Sequence, residues 1–179
     1  MDSTEIAIGA MAAVLLFWTV GAYNRLVQLR NGVVRAFQPV DAQFKLRQAL
    51  LQSLCEALAT PLGEREPQLL EALRAACMQA DSAHARARAQ PGSAKVIASL
   101  RMAEDILAET RARVAATGAA GADGAALAEL TTQLAAGDAT LGFARRQFND
   151  AVDGYNHAVR QFPTWLIAGL FSFRTAAAL

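Results

Sequence analysis

A chain of 179 residues is long enough for one domain with a real core, and 54% hydrophobic against 18% charged residues makes it more apolar than an ordinary soluble domain. A net charge of +1 excludes a phosphate-tracking surface, and with it nucleic acid as a partner. Two cysteines, Cys55 and Cys77, with no CxxC pair, argue against a disulfide framework and read as reduced core thiols.

Ile6 to Tyr23 contains no charged residue. As a helix it would extend about 27 Å, just enough for a hydrocarbon core. Trp18 and Tyr23 suit the headgroup level. The rival is a cleaved signal peptide. Val20-Gly21-Ala22 imitates a cleavage site, but the basic start is missing and Asp2 and Glu5 stand there instead. Arg25, Arg30, Arg35, Lys45 and Arg47 follow the span, so the positive-inside rule puts the N-terminus outside and the rest in the cytoplasm. The expectation is a single-pass protein of a bacterial inner membrane, or of an internal membrane derived from it.

The first helix should leave the membrane without a break. Leu26, Val33, Phe37, Val40, Phe44, Leu51, Leu54 and Leu58 alternate three- and four-residue steps, interrupted at Arg30 and Arg47, which is a coiled-coil-like seam. Pro39 should kink it. Thr60-Pro61-Leu62-Gly63 ends it. A second helix starts at Pro67 and carries Leu70, Leu73, Cys77 and Ala80 inward. Gln90-Pro91-Gly92-Ser93 breaks it, with Ser93 placed to cap a third helix through Val96, Leu100, Leu107 and Val114. Gly118 to Gly124 reads as a flexible loop. A fourth helix over 125–162 carries Leu127, Leu130, Leu134, Leu141, Phe148, Tyr155 and Phe162, and Pro163 stops it.

Short connections make this an all-α, antiparallel up-down four-helix bundle: an anchor over 1–23, a bundle over 24–163 and an apolar tail over 164–179. Nothing aromatic lies between Lys45 and Gly142, so the two aromatic-rich ends should pack together and the Ala-rich middle should form thinner helices beside them. The tail returns to the membrane. It is too short to span. Either it lies in the interface through Trp165, Phe171 and Phe173, with Arg174 reaching the headgroups, or it is a flap over the bundle end.

An aromatic, then Asn, then Val at the fifth position occurs three times: Tyr23-Asn24 to Val27, Phe148-Asn149 to Val152, and Tyr155-Asn156 to Val159. Asn24 and Asn31 are one heptad apart, as are Asn149 and Asn156, so each pair shares a helix face. Up-down topology brings these faces together. Asn24 and Asn31 should meet Asn149 and Asn156, fixing register, with Tyr23 and Tyr155 beside them; the alternative is a polar ligand or ion site. Asp41, between Val40 and Phe44, should pair with Arg145 or Arg146. Glu104-Asp105 and Asp150 with Asp153 read as solvated faces. His84 and His157 have no second ligand at metal spacing, and no GxSxG, P-loop or HExxH occurs. The residues therefore offer no catalytic group, no cofactor or metal site and no small-molecule substrate.

Tyr23 through Val27, Leu29-Arg30-Asn31, Val40-Asp41, Gln43 and Lys45, then Ala144-Arg145, Phe148-Asn149, Val152, Tyr155-Asn156 and Phe162-Pro163, with an apolar span directly before, resemble the LemA family. The sequence departs from the family at Phe37, where Trp is usual, at Pro39, at Gln52-Ser53 in place of Pro-Asn, in lacking a Tyr-Pro element before the last helix, and in its abbreviated tail. The resemblance implies a membrane-anchored helical bundle, no agreed activity, and association of some relatives with shaping bacterial membrane compartments. The expected function is a non-enzymatic, self-assembling scaffold whose partners are the lipid bilayer, further copies of itself and a membrane protein. A regulatory adaptor and a periplasmic helical sensor are the alternatives.

Overall fold

The structure, a computed structural model, describes residues 3–117 and 125–179. The loop expected over 118–124 lies outside the described residues. Among the described residues every element is helical: α1 Ser3–Ala57, α2 Pro61–Arg65, α3 Pro67–Ala89, α4 Ala94–Ala116, α5 Ala125–Arg160 and α6 Thr164–Leu170.

The seam of α1 is the spine of the molecule. Leu26, Val33, Phe37, Val40, Phe44, Leu51 and Leu54 are all buried, as is Leu58 just past the end of the helix. Fully burying side chains of this size contributes about 1.5–3 kcal/mol each, so their three- and four-residue spacing decides which face turns inward. Phe37 meets Phe148 edge to face at 5.5 Å, and Arg47 reaches Asp138 farther out. These two contacts to α5 run in opposite order along the two helices. The two aromatic-rich ends do pack together.

α1 is continuous through Pro39. Pro39 is exposed, so the carbonyl of Arg35 that loses its partner faces solvent. Pro61 and Pro67 occupy first helical positions, where a missing N–H costs nothing.

The α3–α4 hairpin is thin because it packs through alanine: Ala76, Ala80, Ala83, Ala87 and Ala103 are buried. On α4 the inward position is Ile97, and Val96 is only half-buried. Ser93 is the N-cap residue of α4 with extended backbone, yet its hydroxyl makes no capping bond.

The last member of the α5 seam is misplaced by the sequence pattern. Phe162 is 74% exposed, because α5 ends at Arg160 and the chain turns before Pro163. Once the helix stops, the heptad no longer governs where the side chain points.

Candidate functional site

At one end of the fold α1 runs on as a bare helix. Its apolar window has mean hydropathy 1.9, long and apolar enough to cross a membrane, and Ile6, Ile8, Met11, Val14, Leu15, Leu16, Phe17 and Val20 are exposed. Trp18 is exposed near the inner end of this stretch. Protein packing begins at Ala22 and Leu26. Here Tyr23 packs on the tail, its ring tilted against Phe171 at 4.8 Å and edge to face with Phe173 at 5.8 Å.

α6 has two faces. Thr164, Ile167 and Ala168 are buried against the bundle, whereas Trp165, Leu166 and Leu170 point outward, with exposed Phe162 and Phe171 beside them. The tail is thus a flap by its inner face and an unpartnered apolar surface by its outer one. The helix ends in a paired reversal. The Phe173 N–H donates to the Ala168 carbonyl at 2.9 Å, the Ser172 N–H donates to Gly169 at 3.3 Å, and Ser172 has φ 56°. This sends residues 173–179 back along α5.

There the expected asparagine contacts are replaced by others. Asn156 donates through Nδ2 to the Ala176 carbonyl at 2.9 Å and accepts the Ala176 N–H on Oδ1 at 2.8 Å. Asn149 makes the same pair of bonds with Leu179, both 2.8 Å. The Tyr155 hydroxyl donates to the Arg174 carbonyl at 2.8 Å. Burial, partly offset by Arg30, pushes that phenol's pKa up and keeps it a donor. Asn24 and Asn31 are exposed and do not take part. Tyr23 packs on Phe171 and Phe173 instead of beside Tyr155. The shared face of Asn149 and Asn156 was readable from their spacing. Their partner was not, because residues 174–179 carry no periodicity that marks them as a bound strand. Arg174 itself is exposed.

Deeper in the fold a polar cluster crosses the core. Asp41 pairs with Lys45 at 2.7 Å, one turn along the same helix, and its other oxygen lies 3.2 Å from His84 Nε2 without hydrogen-bond alignment. It pairs with neither Arg145 nor Arg146. Arg145 reaches Glu104 at 2.7 Å. Glu104 is buried, which corrects its reading as a solvated residue; Asp105 beside it is exposed. Arg47 completes the cluster between Glu104 and Asp138, and Asp138 is also held by Arg111 at 2.9 Å. The His84 ring lies flat on Phe44, 4.0 Å between centroids, and burial lowers its pKa against the smaller opposing pull of Asp41. Cys55 and Cys77 are free and buried, and their thiols interact across α1 and α3. The neighbouring Cys55 thiol first, and burial second, push the Cys77 thiol's pKa up.

A cleft of about 410 Å³ opens where Arg30 and Val34 of α1, the turn through Gln90 and Ser93, and Tyr155 and Arg174 converge. Among the described residues no group of three or more His, Cys, Asp or Glu is placed to hold a metal.

No curated protein matches the chain. The sequence pattern of the LemA family does, over residues 36–179, which takes in the asparagine pair, the polar cluster and the tail and leaves out the apolar stretch. With most of its length matched, the chain belongs to the LemA family.

Proposed function

We propose that this protein is a membrane-anchored helical scaffold that works by binding and assembly, without chemistry of its own. In this reading α1 crosses the bilayer once, N-terminus outside, and continues into an antiparallel four-helix body in the cytoplasm of a bacterium. The order of contacts between α1, α3 and α5 supports the antiparallel arrangement.

One observation carries the reading: Tyr23, where the apolar stretch of α1 meets the body, is packed ring against ring on the segment that ends α6. The outward face of α6, with Trp165, Leu166 and Leu170, therefore lies at the level where α1 would leave the lipid. An amphipathic helix there enters the headgroup region. A body held by a span and an interfacial helix has a fixed tilt, and many such bodies side by side impose their shape on the bilayer.

The experiment compares the full chain with Trp165→Ser/Leu166→Ser/Leu170→Ser reconstituted in anionic vesicles containing a brominated lipid. Trp165 and Trp18 are distinguished by a Trp18→Phe background. Quenching of Trp165 in that background, and particles larger than a dimer in mild detergent, are the expected results. An unquenched Trp165 sinks the interfacial helix. A discrete monomer or dimer sinks the scaffold and leaves the adaptor.

A further inference from the structure

Asn149 and Asn156 read peptide backbone. Each offers one donor and one acceptor to the N–H and main-chain oxygen of a single tail residue, Ala176 or Leu179. Seven residues of α5 advance about 10.5 Å. Three residues of a polyproline-type strand advance about 9 Å and complete one turn, so positions i and i+3 face the same side. A flat strand repeats on the same side every two residues and would turn Leu179 away. The heptad on the helix and the triplet on the tail are matched rulers. Tyr155 adds a third backbone bond at Arg174.

Side chains add to this, since Ala177 and Leu179 are half-buried against the core. Among residues 174–179 only Ala176 is buried, and Arg174 and Thr175 are exposed. Selectivity is for a small residue opposite Asn156 in an extended segment. A site that reads backbone cannot tell its own tail from the tail of an identical neighbour. Residues 171–173 separate α6 from the first clamped residue, Arg174, and extend about 10 Å, which sets how closely two copies must face each other through this groove for their tails to cross.

We propose that the Asn149–Tyr155–Asn156 face is a peptide-docking groove and that its partner in trans is the tail of a second copy, exchanged reciprocally between two facing molecules. The proposal rests on the scaffold reading and supplies its contact. Confinement to a membrane raises the effective concentration of facing tails and favours exchange.

Complementation tests it. One full-length form, Asn149→Ala/Asn156→Ala, keeps the tail and loses the seat. A second, ending at Phe171, keeps the seat and loses the tail. Each carries its own affinity tag in nanodiscs large enough for two copies. Exchange predicts that the two forms co-purify at least tenfold more than either form with a differently tagged copy of itself. A labelled peptide of residues 172–179 should compete and should bind the truncated form saturably. Equal co-purification in all combinations, or peptide binding that survives Asn149→Ala/Asn156→Ala, overturns the proposal. Trp165 quenching, read on the same nanodiscs with brominated lipid, fails separately if the scaffold reading is the one at fault.

Discussion

Arg47 and Glu104 hold each other inside the fold: one guanidinium nitrogen of Arg47 bonds both carboxylate oxygens of Glu104 at 2.6 Å, and both side chains are nearly out of solvent. Arg145 and Asp138 extend the pair into an alternating chain of charges that ties α1 to α4 and α5. The desolvation of Arg47 is offset only while its partners stay. Glu104→Gln should therefore cost about 3–5 kcal/mol, lowering the melting temperature of the full chain in detergent by about 10 °C. Asp138→Asn, at a side chain 36% exposed, should cost about 1 kcal/mol or less. Circular dichroism melts compare them. Equal losses would mean that solvent reaches Arg47 and the pair is not buried in solution.

His84 makes stability depend on pH. Burial lowers its folded pKa below the ordinary 6.5, against the raising influence of Asp41 and Asp81 and with a small further lowering from Arg88 and Lys45. The unfolded chain therefore takes up a proton first as pH falls. Stability from this group is complete above pH 6.5, declines as pH drops below it, and levels off once the folded imidazole is also protonated. His84→Phe preserves the stack on Phe44 and should flatten that part of the stability–pH curve measured by urea unfolding. An unchanged slope below pH 6.5 would assign the dependence to other groups.

The clamp on the tail should be visible to a protease. Cleavage after Arg174 requires the backbone that Tyr155, Asn156 and Asn149 hold to peel away. Net contributions near 1 kcal/mol per hydrogen bond mean that losing four raises the open population well over tenfold. Trypsin should therefore release residues 175–179 at least ten times faster from Asn149→Ala/Asn156→Ala. Ser172→Gly should slow release, because glycine adopts the positive φ of Ser172 without a Cβ penalty. Mass spectrometry of the released peptide gives both rates. Identical rates in the double variant would show that the asparagines do not hold the tail.

What could be read from the sequence is what burial by periodicity controls. The seven seam residues of α1, with Leu58 just past its end, and the inward set of α3 follow their spacing into the core because apolar area decides a helix's rotation. Arg47 looked like a flaw in that seam. It is a buried cation whose partners, Glu104 and Asp138, lie far along the chain, and no local pattern announces such pairing. Glu104 was misread for the same reason. The asparagine heptads fixed a face of α5, but the occupant of that face depends on where α6 turns, at Ser172, which carries none of the glycine that usually marks such a reversal.

Pro39 offers the last test, because its neighbours make the backbone path unambiguous. Phe37 and Val40 on either side are buried in the seam, and α1 is continuous through the proline. The ring faces outward, so nothing in the core depends on its shape. Pro39→Ala restores the N–H that would bond the Arg35 carbonyl and removes the clash with it. A proline inside a helix costs about 3 kcal/mol relative to alanine. Part of that cost is already relieved by solvent on the exposed side, so a gain of about 1–3 kcal/mol is expected. The melting temperature of the full chain should rise by several degrees, with particle mass in detergent unchanged. A lower melting temperature, or a changed mass, would mean that the proline sets a bend in α1 on which the packing against α3 and α5 depends.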